Sequence, residues 1–378
     1  KMKNFFFVIL IFNYSFSYAE YQYPVFETPE FQGFGGAGSV FATGESALFY
    51  NPSLINEREK VDLLSVLAPF VSISDLPIDF FLYQDQYLNS DRDFEQWIDY
   101  FTGKGVFFSA QNHSGVVFDK VAFGFINRAH ASLRFSGKKN DIENFKLEGV
   151  LKVYNGVYYG LSRQFFSKKL SVGFLVKALY RWEERVDITL LDALESLIRD
   201  GDGSSNILEN ISLLNKLKSS RHAFGGGIDI GFTYRFMETK KSQMRLATVV
   251  NNFLRAHYFS PFSKEWIYEE SIINLGYGYE IKMFTEGHRM QVAFDIKDLL
   301  GLYYKDLIKN THFGVRWKYK KFASVAFGLS GGFPTASFKL AYKFFELQAS
   351  RSGLSLGAKA GENSLVRTSL MLRFGWKF

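Results

Sequence analysis

From Val61 to the carboxyl end, apolar and polar residues alternate with a period of two, in segments separated by Gly, Asp, Lys and Asn turns. The last segment is the clearest. Val366, Thr368, Leu370, Leu372, Phe374, Trp376 and Phe378 fall on one face, and Arg367, Ser369, Met371, Arg373, Gly375 and Lys377 on the other. Successive side chains of a strand point to opposite sides of the sheet, so one face suits lipid and the other a polar lumen. Val121 to Phe135 sets Phe123, Phe125, Ala129, Ala131 and Leu133 against Arg128, His130, Ser132 and Arg134. Leu170 to Val186 sets Phe174, Val176, Ala178, Tyr180 and Trp182 against Lys177, Arg181, Glu183 and Arg185. His288 to Asp298 alternates in the same way, and Asn310 to Lys320 sets Phe313, Val315 and Trp317 against Arg316 and Lys318. There are roughly fourteen such segments, and boundary uncertainty leaves twelve or sixteen open. The pattern predicts an all-β protein, a transmembrane antiparallel β-barrel of about fourteen strands. A half-buried strand of a soluble sandwich alternates equally well, and periodicity alone does not separate the two.

Composition shifts the balance toward the barrel. Aromatic residues make up 18% of the 378 residues, with Phe 42 and Tyr 21, while mean hydropathy stays at −0.07. A barrel uses aromatic girdles at both membrane interfaces around a polar interior. There is no cysteine, so disulfides and thiolate metal sites are excluded. The formal charge of +7 is too dispersed to form a nucleic-acid footprint. At the amino end Lys1 and Lys3 precede the unbroken apolar run Phe5 to Phe12, and Ser17-Tyr18-Ala19 offers a small-residue cleavage site. Residues 1–19 therefore read as a signal peptide, too short to span a bilayer as a helix. Localisation to a bacterial outer membrane follows as the expectation.

Three stretches break the strand rhythm. Residues 20–59 contain Gly33-Phe-Gly-Gly-Ala-Gly38 and then Ala42 to Ile55, with Asn51-Pro52 as a turn signal and Ser46 to Tyr50 long enough for one helical turn. The segment is too rich in glycine for strands and too apolar at Phe31, Phe34, Phe41, Leu48 and Phe49 for solution. It is expected to fill the lumen as an N-terminal hatch, with residues 60–378 forming the barrel. Asp91 to Phe101 reads as a short amphipathic helix. Asp187 to Ser220 reads as a helical insertion of two segments joined by Asp200-Gly-Asp-Gly-Ser-Ser205. Long connections face outward in such barrels, which places both insertions outside.

Gly35 to Leu54, reading Gly-Gly-Ala-Gly, a variable stretch and then Asn-Pro-Ser-Leu, resembles the segment that opens the long-chain fatty acid transporter (FadL-like) superfamily of outer-membrane barrels. Members carry two small residues after the proline, whereas this chain has Ser53 and then Leu54 directly. The helical insertion, Val249-Val-Asn-Asn-Phe253 and terminal Phe378 look most like the TraF-like and PorV-like branch. The resemblance implies a fourteen-stranded barrel closed by a hatch and, for the transporter branch, hydrophobic substrates that leave sideways through the wall. A terminal aromatic carboxylate also resembles an assembly signal, which assigns Phe378 to recognition by the barrel-assembly machinery. Lipid and lipopolysaccharide are the other expected partners.

Candidate residues each carry two readings. Gly35, Gly36, Gly38, Asn51 and Pro52 form a gating element that moves on ligand binding, or else simply pack the plug. The basic residues expected in the lumen, Arg128, Arg134, Lys177, Arg181, Arg185 and Arg316, attract anionic groups, or else pair with acids of the wall and hatch. On the wall reading, Val315→Arg is costly and Arg316→Gln is cheap. Asp200 to Asn206 starts like a calcium loop but lacks the turn glycine and the bidentate glutamate. The histidines show no zinc spacing, and no Gly-x-Ser-x-Gly elbow occurs. The sequence thus predicts no enzyme, no cofactor, no metal and no nucleic-acid partner. It predicts a barrel that admits a small, largely hydrophobic, fatty-acid-like solute past a hatch. The alternative is a non-transporting scaffold that docks a partner protein or lipoprotein.

Overall fold

The computed structural model describes residues 26–56, 63–75, 105–136, 146–189, 221–283, 287–303, 305–355, 360 and 364–377. The signal-peptide segment, the insertion 91–101, residues 190–220 of the second insertion with its calcium-like turn, and Phe378 lie outside the described residues, while 187–189, expected to open that insertion, continue a strand.

Fourteen antiparallel strands close into a barrel. Strand β1 comes in two pieces, Leu63–Leu67 and Phe70–Ser74. It is followed by β2 (Gly105–Phe118), β3 (Val121–Ser136), β4 (Lys146–Phe165), β5 (Leu170–Thr189), β6 (Arg221–Glu238) and β7 (Ser242–Ser260). Strand β8 is again split, into Glu265–Glu269 and Ile272–Lys282. Then come β9 (His288–Ile296), β10 (Thr311–Tyr319), β11 (Ala323–Ser330), β12 (Phe333–Tyr342), β13 (Phe345–Ser355) and β14 (Ser364–Lys377). Each strand pairs with its sequence neighbours. Both pieces of β1 pair with β2 and with β14, with Leu63 opposite Lys377, so no edge is left open.

The molecule is turned inside out relative to a soluble sandwich, which decides what periodicity leaves open. Phe123, Phe125, Leu133, Phe174, Val176, Phe313, Trp317, Leu370 and Phe374 are exposed on the outer wall. Their alternates Arg128, His130, Arg181, Glu183, Arg316, Arg367 and Ser369 are buried in the lumen. Lipid, not water, must meet that outer face, and a closed sheet is the β-structure that satisfies its backbone within a bilayer.

Strands β9 to β12 run 8 to 10 residues, close to the ~9–11 that cross a membrane. Strands β4 and β5 run 20 each. The wall is therefore lopsided, and its surplus rises on the side of the long connections 75–104, 137–145, 190–220 and 297–310. Both barrel ends and the short turns at 119–120, 166–169, 239–241, 320–322 and 343–344 lie at the opposite rim.

The hatch, the wall that seats it and the cavity above

Residues 26–56 fill the lumen. Helix α1 (Pro29–Gly33) begins with proline at its first position, where a missing N–H costs nothing. Helix α2 (Glu45–Tyr50) is followed by a single 3₁₀ turn over Pro52–Leu54. Phe31, Phe34, Phe41, Leu48, Leu54 and Ile55 are all buried, while Phe49 is half-buried and stacks on Phe26 at 4.3 Å. Each such side chain contributes about 1.5–3 kcal/mol when withdrawn from water.

The Asn51-Pro52 turn sits against β4, β5 and β6. Asn51 Oδ1 accepts from Ser53 N at 3.1 Å and from Ser53 Oγ at 2.7 Å, capping the 3₁₀ turn. Its Nδ2 donates to Ser39 O at 2.7 Å within the hatch and to Thr233 Oγ1 at 2.9 Å on the wall. Ser162 Oγ donates to Ser53 O at 2.9 Å. The wall opposite is glycine: a Cβ at Gly173 would stand 2.3 Å from Pro52 O, and one at Gly231 2.1 Å from Asn51 Oδ1. Backbone thus meets backbone over this patch, with no room for a side chain.

The glycine loop lies on the far side of the lumen. Gly35 and Gly36 have φ of 66° and 77°, the left-handed region that glycine adopts without strain. Gly35 N donates to Thr335 Oγ1 at 3.2 Å, and His312 Nδ1 lies 2.7 Å from Gly35 O. Ser39 N donates to Asp295 Oδ2 at 3.0 Å. Gly38 packs against the Tyr50 ring, where a Cβ would approach within 2.3 Å of Cδ1.

Three hatch carboxylates, which the sequence reading passes over, receive the lumen cations. Glu27 binds Arg128 Nη2 at 2.7 Å and Arg367 Nη2 at 3.0 Å. Burial alone would raise its carboxyl, but the Arg367 and Arg128 guanidiniums hold it down at about 2. Glu30 meets Lys339 at 2.6 Å, Arg316 at 2.8 Å and Lys318 at 3.9 Å. These cations overcome burial and keep Glu30 well below the usual carboxylate range. Glu45 lies 3.1 Å from His113 Nδ1 and 3.8 Å from Arg373. Against burial, those two groups hold it at about 2. Arg316 is fully buried, stacked over Phe34 at 4.6 Å and Phe31 at 5.0 Å.

The remaining basic residues belong to the wall itself. Lys177 donates to Asp229 Oδ1 at 2.9 Å and to Asn252 Oδ1 at 3.2 Å. Arg181 binds Glu183 and, at 2.9 Å, Glu269. Arg185 reaches Glu183 Oε1 at 2.7 Å and is half exposed, and Arg134 pairs with Glu148 across the rim. The lumen cations thus divide into a hatch set (Arg128, Arg316), a mid-wall set (Lys177, Arg181) and a rim set (Arg134, Arg185). The carboxylate partners were legible only as isolated acids, because their positions are set by the path of the hatch.

At Lys177 the wall loses its regular register. Between the pairs Gly226↔His257 and Ile228↔Phe253, one residue of β6 (Gly227) faces three of β7 (Leu254, Arg255 and Ala256), a bulge with two extra residues. Asn252, Leu254 and Arg255 have φ of 52°, 62° and 68°. Side chains close the gap where backbone bonds are missing. Asp229 Oδ1 accepts from Asn252 N at 2.8 Å, and Ser271 Oγ donates to Asn252 O at 2.6 Å while accepting from Arg255 N at 3.1 Å. Outside, Phe253 and Leu254 are exposed on the lipid face.

A cavity of about 260 Å³ lies between the hatch and this bulge. Phe26, Phe49 and Tyr50 of the hatch line it, Asn252, Glu269 and Ile272 line it at the wall, and Lys297 and His312 line it opposite.

No family model matches the chain, and no curated protein matches it. Among solved structures it is similar to the toluene transporter TbuX of Ralstonia pickettii, at 13% identity over 94% of this chain and 99% of that one, with a TM-score of 0.48. It is similar to the toluene transporter TodX of P. putida at 13% identity over 92% and 97%, with a TM-score of 0.46. A FadL homologue of Pseudomonas aeruginosa is similar at 12% identity over 91% and 96%, with a TM-score of 0.34.

Proposed function

We propose that this barrel lies in a bacterial outer membrane and admits a small, largely apolar solute from outside. The solute rests in the cavity above the hatch and leaves sideways at the β7 bulge. The observation that carries this reading is the cavity itself, which has an aromatic hatch floor on one side and the irregular wall at Asn252 and Ile272 on the other. A volume of about 260 Å³ suits a single-ring or short-chain molecule, since a dry cavity of about 150 Å³ takes up benzene. Beyond the aromatic floor the lining is largely polar, with Glu27, Lys177, Asp229, Glu269, Lys297 and Arg367 around it, so a polar group of the solute has partners on several sides. Straight passage is obstructed because the hatch packs against the wall at the glycine seat, around Glu27 and around Glu30.

The chain's lack of cysteine makes the test clean. Ile228 and Phe253 face each other across the bulge on the lipid side. With Ile228→Cys and Phe253→Cys, oxidation should slow toluene uptake into cells several-fold, and reduction should restore it. Equal uptake in both states, with the cross-link shown to form, removes the lateral route. Uptake no greater than in cells lacking the protein favours the partner-docking scaffold.

A further inference from the structure

A second and larger chamber, about 900 Å³, opens at the rim of the short turns. Eleven lysines and arginines line it against four glutamates. Each glutamate already meets a cation: Glu30 with Lys339, Glu238 with Arg235, Glu280 with Arg289 and Glu346 with Arg373. Lys168, Lys282, Lys320 and Lys321 make no ion pair among the described residues. The six residues that join hatch to barrel carry Glu57, Glu59 and Asp62 against Arg58 and Lys60, and the β8–β9 turn adds Glu286, too little acid to balance the surplus.

We propose that this vestibule docks an acidic segment of a periplasmic protein. The proposal rests on the function reading above only for the side of the membrane that the chamber faces. Low-dielectric walls focus the field of a one-signed cleft into its mouth, so anions concentrate there. The cations are spread from the β4–β5 turn through β10 to β14 rather than converging on one point. A single phosphate or carboxylate would touch few of them. An extended polyanion can follow them all, and roughly ten extended residues reach ~33 Å. Lys320 lies over the outward Tyr319 ring at 5.5 Å, but the other cations line the chamber rather than the lipid face, which favours a protein segment over lipid phosphates.

The test uses the full-length protein in zwitterionic nanodiscs and a fluorescein-labelled peptide of about ten glutamates, followed by anisotropy, with a glutamine peptide as control. The glutamate peptide should bind and the glutamine peptide should not. Affinity should fall about tenfold or more as salt rises from ~50 to ~300 mM, because the contacts are screened. Lys282→Gln, Lys320→Gln and Lys321→Gln together should weaken binding at least tenfold, with the folded gel mobility and toluene uptake unchanged. Equal binding by the triple variant, or by the glutamine peptide, overturns the proposal. If adding phosphatidylglycerol to the discs abolishes peptide binding at constant salt, lipid head groups neutralise these lysines, and the proposal falls as well.

Discussion

Two departures from the regular pleat of the wall, the hatch seat and the β7 bulge, are built in opposite ways. At the hatch seat, Gly173 and Gly231 remove side chains so that Asn51-Pro52-Ser53 can lie directly on the strand backbone. The ladder there stays in register through Gly173↔Gly231. At the bulge the ladder itself is broken, and Asp229, Asn252 and Ser271 replace its bonds with side-chain ones. Continuous ladder bonds plus close packing make a rigid seat. Side-chain stitches can be exchanged for water or for one another at small net cost, since a typical hydrogen bond contributes only about 0.5–1.5 kcal/mol net. On the proposed function, the first region stays closed and the second opens.

Removing the hatch should give the largest effect. Deleting Gly33 to Leu54 takes away the glycine loop, α2 and the seat contact, and should turn a non-conducting barrel into a pore in planar bilayers. A barrel of fourteen strands lies between the eight that side chains fill and the sixteen that leave an aqueous channel. Identical conductance with and without the segment would mean that the hatch does not close the lumen.

Next in size are the buried hatch charges. Glu27→Gln leaves Arg128 and Arg367 uncompensated in the interior and should cost about 3–5 kcal/mol in a folding titration. Arg316→Gln should cost a similar amount. Here the structure corrects the sequence expectation of a cheap change, because Arg316 is not a solvated lumen cation but the buried partner of Glu30. The same pairs set a pH dependence. Glu27 and Glu45 are held at about 2 against an ordinary 4.5, so their contribution is complete above pH ~4.5 and is lost as pH falls toward 2. Protease access to the hatch should rise over that window, and Glu27→Gln should flatten the part due to Glu27.

Wall orientation gives a slightly smaller effect. Val315→Arg places a charge on the lipid face between exposed Phe313 and Trp317 and should cost about 2–4 kcal/mol near mid-membrane. A negligible cost would place this strand one residue out of register.

The smallest effects compare the two departures directly. Gly231→Ala pushes a Cβ into Asn51 Oδ1 and should cost about 1–3 kcal/mol of stability by overpacking, with no change in uptake selectivity. Asp229→Asn weakens the stitch to Asn252 N and leaves Lys177 without its carboxylate. It should raise toluene uptake severalfold while changing the folding midpoint less than Gly231→Ala does. The reverse ranking would mean that the bulge, not the seat, is the rigid element.

Much of this architecture was legible in the residues. Period-two alternation located β3, β5, β9, β10 and β14 to within a few residues, because a strand buried on one face must alternate. The same alternation separated outward Phe313, Val315 and Trp317 from inward Arg316. Glycine density and Asn51-Pro52 marked the hatch, since that combination makes turns and close contacts rather than strands. Other features belong to tertiary structure. Periodicity cannot say which face is outside, and only closure of the sheet put the aromatics toward lipid and the arginines inside. Glu27, Glu30 and Glu45 have no local signature, because a carboxylate finds its guanidinium through the path of the hatch across the lumen. The β7 bulge is equally silent, because Asn252, Leu254 and Arg255 adopt left-handed backbone under constraint from neighbouring strands rather than from their own preference. Local chemistry chose the elements. Chain closure, which brings residues hundreds of positions apart into contact, chose their partners.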